Sequence, residues 1–155
     1  MPEDHSEIGA AFLLTQLGTH AATRFAERVS ALGLTPPQTG MLRMIGGTPG
    51  LSQQALAQAL GMAPSKIVAF VDELEARGLV RRSRSVRDRR VHELTLTDQG
   101  QELMGRIREL AAEHEADFCQ PLDADEREQL AGLLRRIAEH HGLAPGVHPG
   151  YRSLR

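Results

Sequence analysis

The residues with the clearest chemical potential are basic side chains crowded into one short stretch of the chain. Residues 66 to 90 hold eight of the 18 basic residues against four acidic ones, a net charge of +4 for this stretch. The eight are Lys66, Arg77, Arg81, Arg82, Arg84, Arg87, Arg89 and Arg90. Because the whole chain carries −2, the remainder carries −6. Guanidinium groups bind phosphate through paired hydrogen bonds, so this local excess favours a nucleic-acid surface on an acidic body.

Histidines are the next candidates for chemistry, since imidazole is the commonest transition-metal ligand and the chain has seven of them. The pair His140 and His141, together with His114, comes nearest to a group, but no tight ligand spacing is visible. His114 falls on the apolar seam of its helix, a position typical of a packed histidine. We therefore predict no metal site and no cofactor, with a metal-responsive protein as the alternative.

The single cysteine and the missing catalytic motifs limit the remaining chemistry. Cys119 has acidic neighbours in sequence and no adjacent cation, so we expect a structural thiol, with an oxidant sensor as the alternative. No nucleophile elbow, phosphate-binding loop, dinucleotide fingerprint or HExxH pair is present. The sequence predicts that the protein is not an enzyme.

Composition predicts a helical protein. The chain has 155 residues, 41% of them hydrophobic, but only one Tyr, four Phe and no Trp, so Leu, Ala, Val, Ile and Met must build the core. No stretch reaches the roughly 18 apolar residues of a membrane span, and the acidic start MPEDHSE is unlike a signal peptide. We expect a cytoplasmic protein with no membrane partner.

Apolar periodicity and capping residues predict four helices before and within the basic stretch. They cover residues 7–32, 36–45, 53–60 and 64–77. Ser52 caps the third helix and Gly61 closes it, which makes the third and fourth helices a helix-turn-helix candidate. Ala63 stands at the start of the fourth helix without a capping side chain, so this end is expected to fray.

After the fourth helix, the pattern changes to that of a hairpin. LVRRSR and VHELTL bracket the polar tip SVRDRR. Thr97-Asp98 then opens a helix of some twenty residues, and Asp123 with Glu126 forms a capping box for a sixth helix. Residues 142–155 are rich in Gly and Pro, so we expect them to be poorly ordered unless they dock on a partner subunit.

The segment GLVRRSRSVRDRRVHELTLTDQG resembles the multiple antibiotic resistance regulator (MarR) family, and the likeness extends over about residues 7–141. Gly78-Leu79-Val80 matches the end of the family's recognition helix. Asp88 and Arg90 match the D-x-R of its wing, and Leu96-Thr97 with Gly100 matches the LT-x-x-G that opens the next helix.

The resemblance implies a mainly α fold with a small β-hairpin (α+β), a winged helix-turn-helix with N- and C-terminal dimerisation helices. Residues 7–34 and 98–141 would form the dimerisation region and residues 35–97 the DNA-binding lobe, followed by the 142–155 tail. Apolar stripes near both chain ends independently require a partner to bury them. The expected interface residues are Ile8, Phe12, Leu110, Phe118, Leu130, Leu133, Leu134 and Ile137.

The expected partner is double-stranded DNA. Ser65, Lys66, Val68 and Ala69 lie on the outward face of the fourth helix, where they would meet the major groove. Arg82 and Arg84 would line the DNA backbone, and Arg87 and Arg89 would form the wing tip. The resemblance implies that Asp88 pairs with Arg90 to hold the wing in shape.

The resemblance also implies regulation by a small aromatic or phenolic effector. It places a pocket among the first, second and fifth helices, with His20, Met41, Met44 and Ile107 as lining candidates. The protein would be a homodimeric repressor released from a pseudo-palindromic operator. The alternative is a winged-helix module whose basic hairpin meets an acidic protein.

Overall fold

The computed structural model describes residues 8–154, which form six α-helices and a small antiparallel sheet. In chain order these are α1 (Ala10–Ser30), α2 (Pro36–Gly47), β1 (Leu51–Ser52), α3 (Gln53–Leu60), α4 (Pro64–Ala76), β2 (Val80–Arg84), β3 (His92–Leu96), α5 (Asp98–Phe118) and α6 (Ala124–His140), followed by a 3-10 helix (Pro149–Ser153). All six helices and the hairpin were predicted, and the mainly α winged fold is confirmed. No helix within 8–154 is long and apolar enough to cross a bilayer.

The core lies where α2, α3 and α4 pack against the sheet. Each of these elements turns a set of apolar side chains inward at the spacing that the sequence predicted. The fully buried members include Met41, Leu42, Ile45, Leu56, Ile67, Val71, Leu74 and Leu94. Each such side chain contributes roughly 1.5–3 kcal/mol of burial free energy. Val29 of α1, Met104 and Ile107 of α5 and Tyr151 belong to the same cluster, and this shared core holds the inner face of α4 in place.

Capping residues determine where the helices of the helix-turn-helix begin and end. The Ser52 hydroxyl accepts a hydrogen bond from the Ala55 amide at 3.0 Å. Gly61 ends α3 in the left-handed conformation with φ of 66°, which only glycine adopts without strain. As expected, Ala63 at the start of α4 supplies no capping side chain, although Pro64 pre-sets the first helical turn.

The sheet has three strands in the order β1-β3-β2 within the described part of the chain. β2 pairs with β3 from Val80↔Leu96 to Arg84↔His92, and the two residues of β1 pair with Leu94 and Glu93. The hairpin was predicted, but β1 was missed. Two residues are too short for an alternating pattern to show in a sequence.

The LT-x-x-G motif is a packing device at the base of the hairpin. The Thr97 hydroxyl accepts from the Gly100 amide at 3.0 Å and donates to the carbonyl of Gly78. A Cβ on Gly100 would overlap the carbonyl oxygen of Leu79, so only glycine lets α5 start this close to the chain leaving α4. The motif therefore joins α4, both hairpin strands and α5 at one point.

The helices outside the lobe leave apolar side chains uncovered. The C-terminal half of α1 packs on α5, where the Phe25 ring lies 5.5 Å from His114. By contrast, Phe12 on α1 is 58% exposed and Leu133 on α6 is 49% exposed. No residue of α6 is buried. Such contiguous exposed apolar faces are typical of surfaces that meet a partner.

Residues 146–154, called the C-terminal segment below, are docked on the lobe of their own chain. The expectation of a poorly ordered tail was wrong, because the apolar side chains of Val147, Tyr151 and Leu154 pack against the core. Tyr151 is only 7% exposed, and its hydroxyl donates to the carbonyl of Pro37 at 2.9 Å. Gly40 makes this possible, since a Cβ there would overlap the phenol oxygen.

Ionisation of Tyr151 tests this docking. Burial raises the pKa of Tyr151 to about 12, so the folded protein should show no tyrosinate absorbance up to about pH 11. A raised pKa means that docking stabilises the protein fully below the unfolded value of about 10 and loses this effect as the pH rises towards 12. Tyr151 is the single tyrosine and the chain has no Trp, so the absorbance signal belongs to this residue.

Gly40→Ala supplies the matched comparison for that titration. The new Cβ should expel the phenol ring, and tyrosinate should then form near the ordinary pKa of about 10. Gly47→Ala in the same helix is the control, because a Cβ there meets nothing within 4 Å. Wild-type protein that titrates near pH 10 would show that the segment is not docked.

Candidate nucleic-acid interface

The outward face of α4 is open along most of its length. Ile67, Val71 and Leu74 are buried on its inner face, and their helical spacing leaves Ser65, Val68 and Ala69 exposed on the other. The four predicted α4 residues therefore share one side of the helix. Three of them are exposed, and Lys66 is half-buried. Small side chains on this face leave room for close approach to a groove.

Lys66 has a partner that the sequence did not indicate. Its ammonium donates a hydrogen bond to the carbonyl of Leu154 in the C-terminal segment. Among residues 8–154 no carboxylate pairs with this ammonium. Its charge is therefore fixed in position and not neutralised.

Arg82 is engaged differently from the expectation. Its guanidinium pairs with the Asp72 carboxylate of α4 at 2.7 Å, and its backbone amide donates to Glu75 at 2.9 Å. The Arg82 side chain is only 19% exposed, because it shares the inner face of the sheet with Leu94, its partner across the strands. Arg82 therefore joins α4 to the hairpin, and its contact with the DNA backbone stays a prediction.

Arg84 follows Arg82 by one full strand period and lies opposite His92, where the sheet ends. It is exposed, as is Arg81 on the opposite face. Arg84 is therefore accessible, and its contact with phosphate stays a prediction. Arg77, although part of the basic stretch, donates to the carbonyl of Gly33 at 2.9 Å and ties the end of α4 to the loop before α2.

The wing loop, residues 85–91, is held by two side-chain oxygens that bond to backbone amides. The buried Ser85 hydroxyl accepts from the Arg87 amide at 3.2 Å, and Asp88 Oδ1 accepts from the Arg90 amide at 2.9 Å. A backbone bond from the Ser85 amide to the Val91 carbonyl at 2.9 Å closes the loop. These contacts give the loop a defined shape.

Asp88 does bond Arg90, as the resemblance implied, but through the backbone. The carboxylate accepts from the Arg90 amide, and no Asp88–Arg90 ion pair is present in the described chain. The side chains of Arg87, Arg89 and Arg90 all stay exposed. Ser85 was missed, although a serine two residues before the wing arginine is the pattern of a side-chain turn.

The predicted effector residues do not form one site. Met44 and Ile107 line a cavity of about 300 Å³ between α2, α5 and the C-terminal segment, together with Arg43 and Tyr151. Met41 is fully buried in the core and does not line the cavity. Met41 and Met44 lie only about 60° apart around α2, so the helical period alone does not separate them, and it is the packing of the core that covers Met41.

His20 is also separate from that cavity. It lies in a depression between α1 and α5, with its ring 6.3 Å from Phe118. His114 is in the same depression, and its pKa is lowered first by burial and then by the nearby Arg28. His114 is thus the packed histidine that its helix position indicated.

Two other sensing hypotheses concern the histidines and Cys119. No three metal-ligating side chains converge among the described residues, so the histidines have no common site there. Cys119 lies at the end of α5 with its Sγ 3.6 Å from a Glu115 oxygen. Burial, and then Glu115, raise the pKa of the Cys119 thiol, which disfavours the reactive thiolate.

Most of the expected dimer residues lie on exposed apolar faces. Phe12 is exposed on α1 and Ile8 just before it, and α6 exposes four more apolar side chains. Those four are Leu130, Leu133, Leu134 and Ile137. Leu110 differs, since it packs against the core of its own chain, and Phe118 is half-buried beside His114.

Comparison with known proteins agrees with this architecture. The family model described as MarR family matches residues 32–91. A putative transcriptional regulatory protein for the hcr operon of Thauera aromatica is 35% identical over 150 residues, covering 92% of this chain and 90% of that protein.

Solved structures share the fold over most of the chain. The transcriptional repressor CouR, bound to a 23-mer DNA duplex, gives a TM-score of 0.75 at 35% identity and covers 84% of this chain and 92% of its own. The MarR family protein Rv2887 of Mycobacterium tuberculosis, in complex with p-aminosalicylic acid, gives 0.67 at 27% identity, covering 84% and 99%. The winged lobe, the matched motif and these identities together establish that the chain belongs to the MarR family and is a DNA-binding transcriptional regulator.

Proposed function

We propose that the protein is a homodimeric repressor that binds a pseudo-palindromic operator and is released from it by a small aromatic or phenolic effector. The observation that carries the proposal is a wing loop of fixed shape with three exposed arginines, on a hairpin that the Arg82–Asp72 pair joins to α4. Such a pair of elements can reach a major groove and the adjacent minor groove or phosphates.

Dimerisation is supported by the uncovered apolar faces at the two ends of the chain. Phe12, Leu13, Leu14 and Leu17 are exposed on α1, while α6 has no buried residue at all. A second copy related by two-fold symmetry can cover both faces with the same contacts. We propose residues 7–34 and 98–141 as the dimerisation region and 35–97 as the DNA-binding lobe. Two lobes would read half-sites about 10 bp apart.

The effector site is proposed in the cavity lined by Met44 and Ile107. Its volume of about 300 Å³ suits one aromatic ring, and the Arg43 guanidinium at its edge suits a carboxylate or phenolate. The cavity lies between α5 and the lobe. A ligand that prefers a lobe spacing unlike that required by DNA must weaken DNA binding by its differential affinity.

The DNA-binding proposal predicts strong salt dependence on duplexes that tile the promoter beside the protein's own gene. About six phosphate contacts give a slope near −5 for log affinity against log salt. Weak salt dependence without preference for a palindrome would instead favour an acidic protein as the partner of the hairpin.

Two variants at Asp88 separate loop shape from charge. Asp88→Asn keeps an oxygen for the Arg90 amide, whereas Asp88→Ala removes it, and both remove the negative charge. Loss of a hydrogen bond worth about 1 kcal/mol in each wing should make the alanine variant bind about 30-fold more weakly than the asparagine variant. Equal binding by the two variants would mean that this bond does not shape the wing.

Leu133→Asp should convert the dimer to a monomer, because it places a charge in the proposed apolar interface. Sedimentation velocity measures the mass, and the monomer should lose operator affinity. Arg135→Asp on the same helix is the control, since it lies about 200° around the axis from Leu133. A wild-type monomer, or a Leu133→Asp dimer, would refute this interface.

Salicylate and 4-hydroxybenzoate are suitable probes of the cavity. At a concentration 100 times Kd a bound ligand stabilises the fold by about 2.7 kcal/mol, a Tm increase of roughly 5–10 °C, and DNA affinity should fall. Met44→Trp should fill the cavity and abolish both effects, while the core variant Met41→Leu should keep them. If His20→Ala abolishes the effects and Met44→Trp does not, the α1–α5 depression is the site.

A further inference from the structure

The C-terminal segment is held on the lobe by the packed side chain of Tyr151 and by hydrogen bonds to α2. The Tyr151 ring fills a position that only glycine at residue 40 leaves open, and its hydroxyl bonds the Pro37 carbonyl. Nearer the start of the segment, the Gly146 carbonyl accepts from the Arg43 guanidinium. These contacts connect the segment to α2 at two points and set the course of the residues that follow.

The far end of the segment reaches the turn of the helix-turn-helix. The Arg152 side chain crosses Gly61, with its Nε 2.9 Å from where a Cβ would stand. Two residues later, the Leu154 carbonyl accepts from the Lys66 ammonium in the first turn of α4. The segment therefore brings a second basic group to the amino end of the proposed recognition helix.

The charge of the C-terminal segment indicates that it binds DNA and does not block DNA from Lys66. A segment that blocked DNA by neutralising Lys66 would need acidic side chains, but residues 142–155 contain no Asp or Glu and do contain Arg152, Arg155 and His148. Within residues 8–154, neither Arg152 nor Lys66 has a carboxylate partner. The local charge is thus complementary to phosphate.

The contact with Lys66 has the same implication. Leu154 offers a neutral carbonyl, so the ammonium keeps its charge and two further N–H donors for a phosphate. A flexible lysine loses side-chain entropy when it binds, and an ammonium already held in place loses less. The contact orients Lys66 and leaves it able to bind.

We propose that the C-terminal segment is part of the DNA-binding surface, where Arg152 contacts the phosphate backbone and Leu154 positions Lys66 at the amino end of α4. This extends the interface beyond the helix and wing to residues that follow the dimerisation helices. It rests on the proposed DNA-binding function.

Arg152→Ser tests the contact on whichever promoter duplex binds wild-type protein most tightly. Each lost phosphate contact lowers the slope of log affinity against log salt by about 0.9, so a dimer with two segments should lose about 1.8. Arg135→Ser, which removes an exposed arginine from α6, should leave the slope unchanged. Fluorescence anisotropy at several salt concentrations measures the affinities.

Gly40→Ala tests docking without changing any residue at the interface, with Gly47→Ala as its matched control. Undocking should weaken DNA binding and lower the slope at least as much as Arg152→Ser does, because Lys66 also loses its positioning partner. An unchanged slope and affinity in both Arg152→Ser and Gly40→Ala would overturn the proposal, and tighter binding would overturn it in favour of a segment that blocks DNA. If wild-type protein binds no duplex in a salt-dependent way, the proposed function itself fails, and this inference with it.

Discussion

The junction between the end of α4 and the start of α5 is the constraint on which the rest of the structure depends. The Thr97 amide and hydroxyl bond the carbonyls of Leu79 and Gly78, and Gly100 lets the two backbones meet without a side chain between them. Four elements meet there: α4, β2, β3 and α5. Because both hairpin strands start and end at this point, the wing and α4 keep a defined relation to each other.

Polar contacts beyond the junction then divide the arginines into two groups. Arg82 and Arg77 are used internally, the first against Asp72 and the second against the Gly33 carbonyl. The arginines of the wing loop stay exposed, because the loop is shaped by Ser85 and by the Asp88 carboxylate bonding backbone amides. A basic stretch is thus not a uniform surface. Some of its arginines make internal contacts that position the lobe and hairpin, and the others stay exposed on the wing loop.

The C-terminal segment connects the proposed effector cavity to the proposed DNA surface. Arg43 and Tyr151 line the cavity, and the chain that carries Tyr151 continues to Arg152 and to the contact with Lys66. Cavity and interface are therefore joined by a few residues of one docked segment. Coupling between the two sites needs no long path through the core, only a segment whose position both sites affect.

Local signals in the sequence were enough to determine the helices, the hairpin and the caps at Ser52, Gly61, Thr97 and Asp123, because periodicity and capping act over a few residues. They were not enough for the pairing of Arg82 with Asp72, for the separation of His20 and Met41 from the cavity, or for the docked C-terminal segment. These features depend on packing between different elements, and the docked segment pairs groups far apart in the chain, such as Tyr151 with Gly40 and Lys66 with Leu154. Only the packed structure decides such pairs, since burial and contact are properties of the whole fold and not of any short stretch.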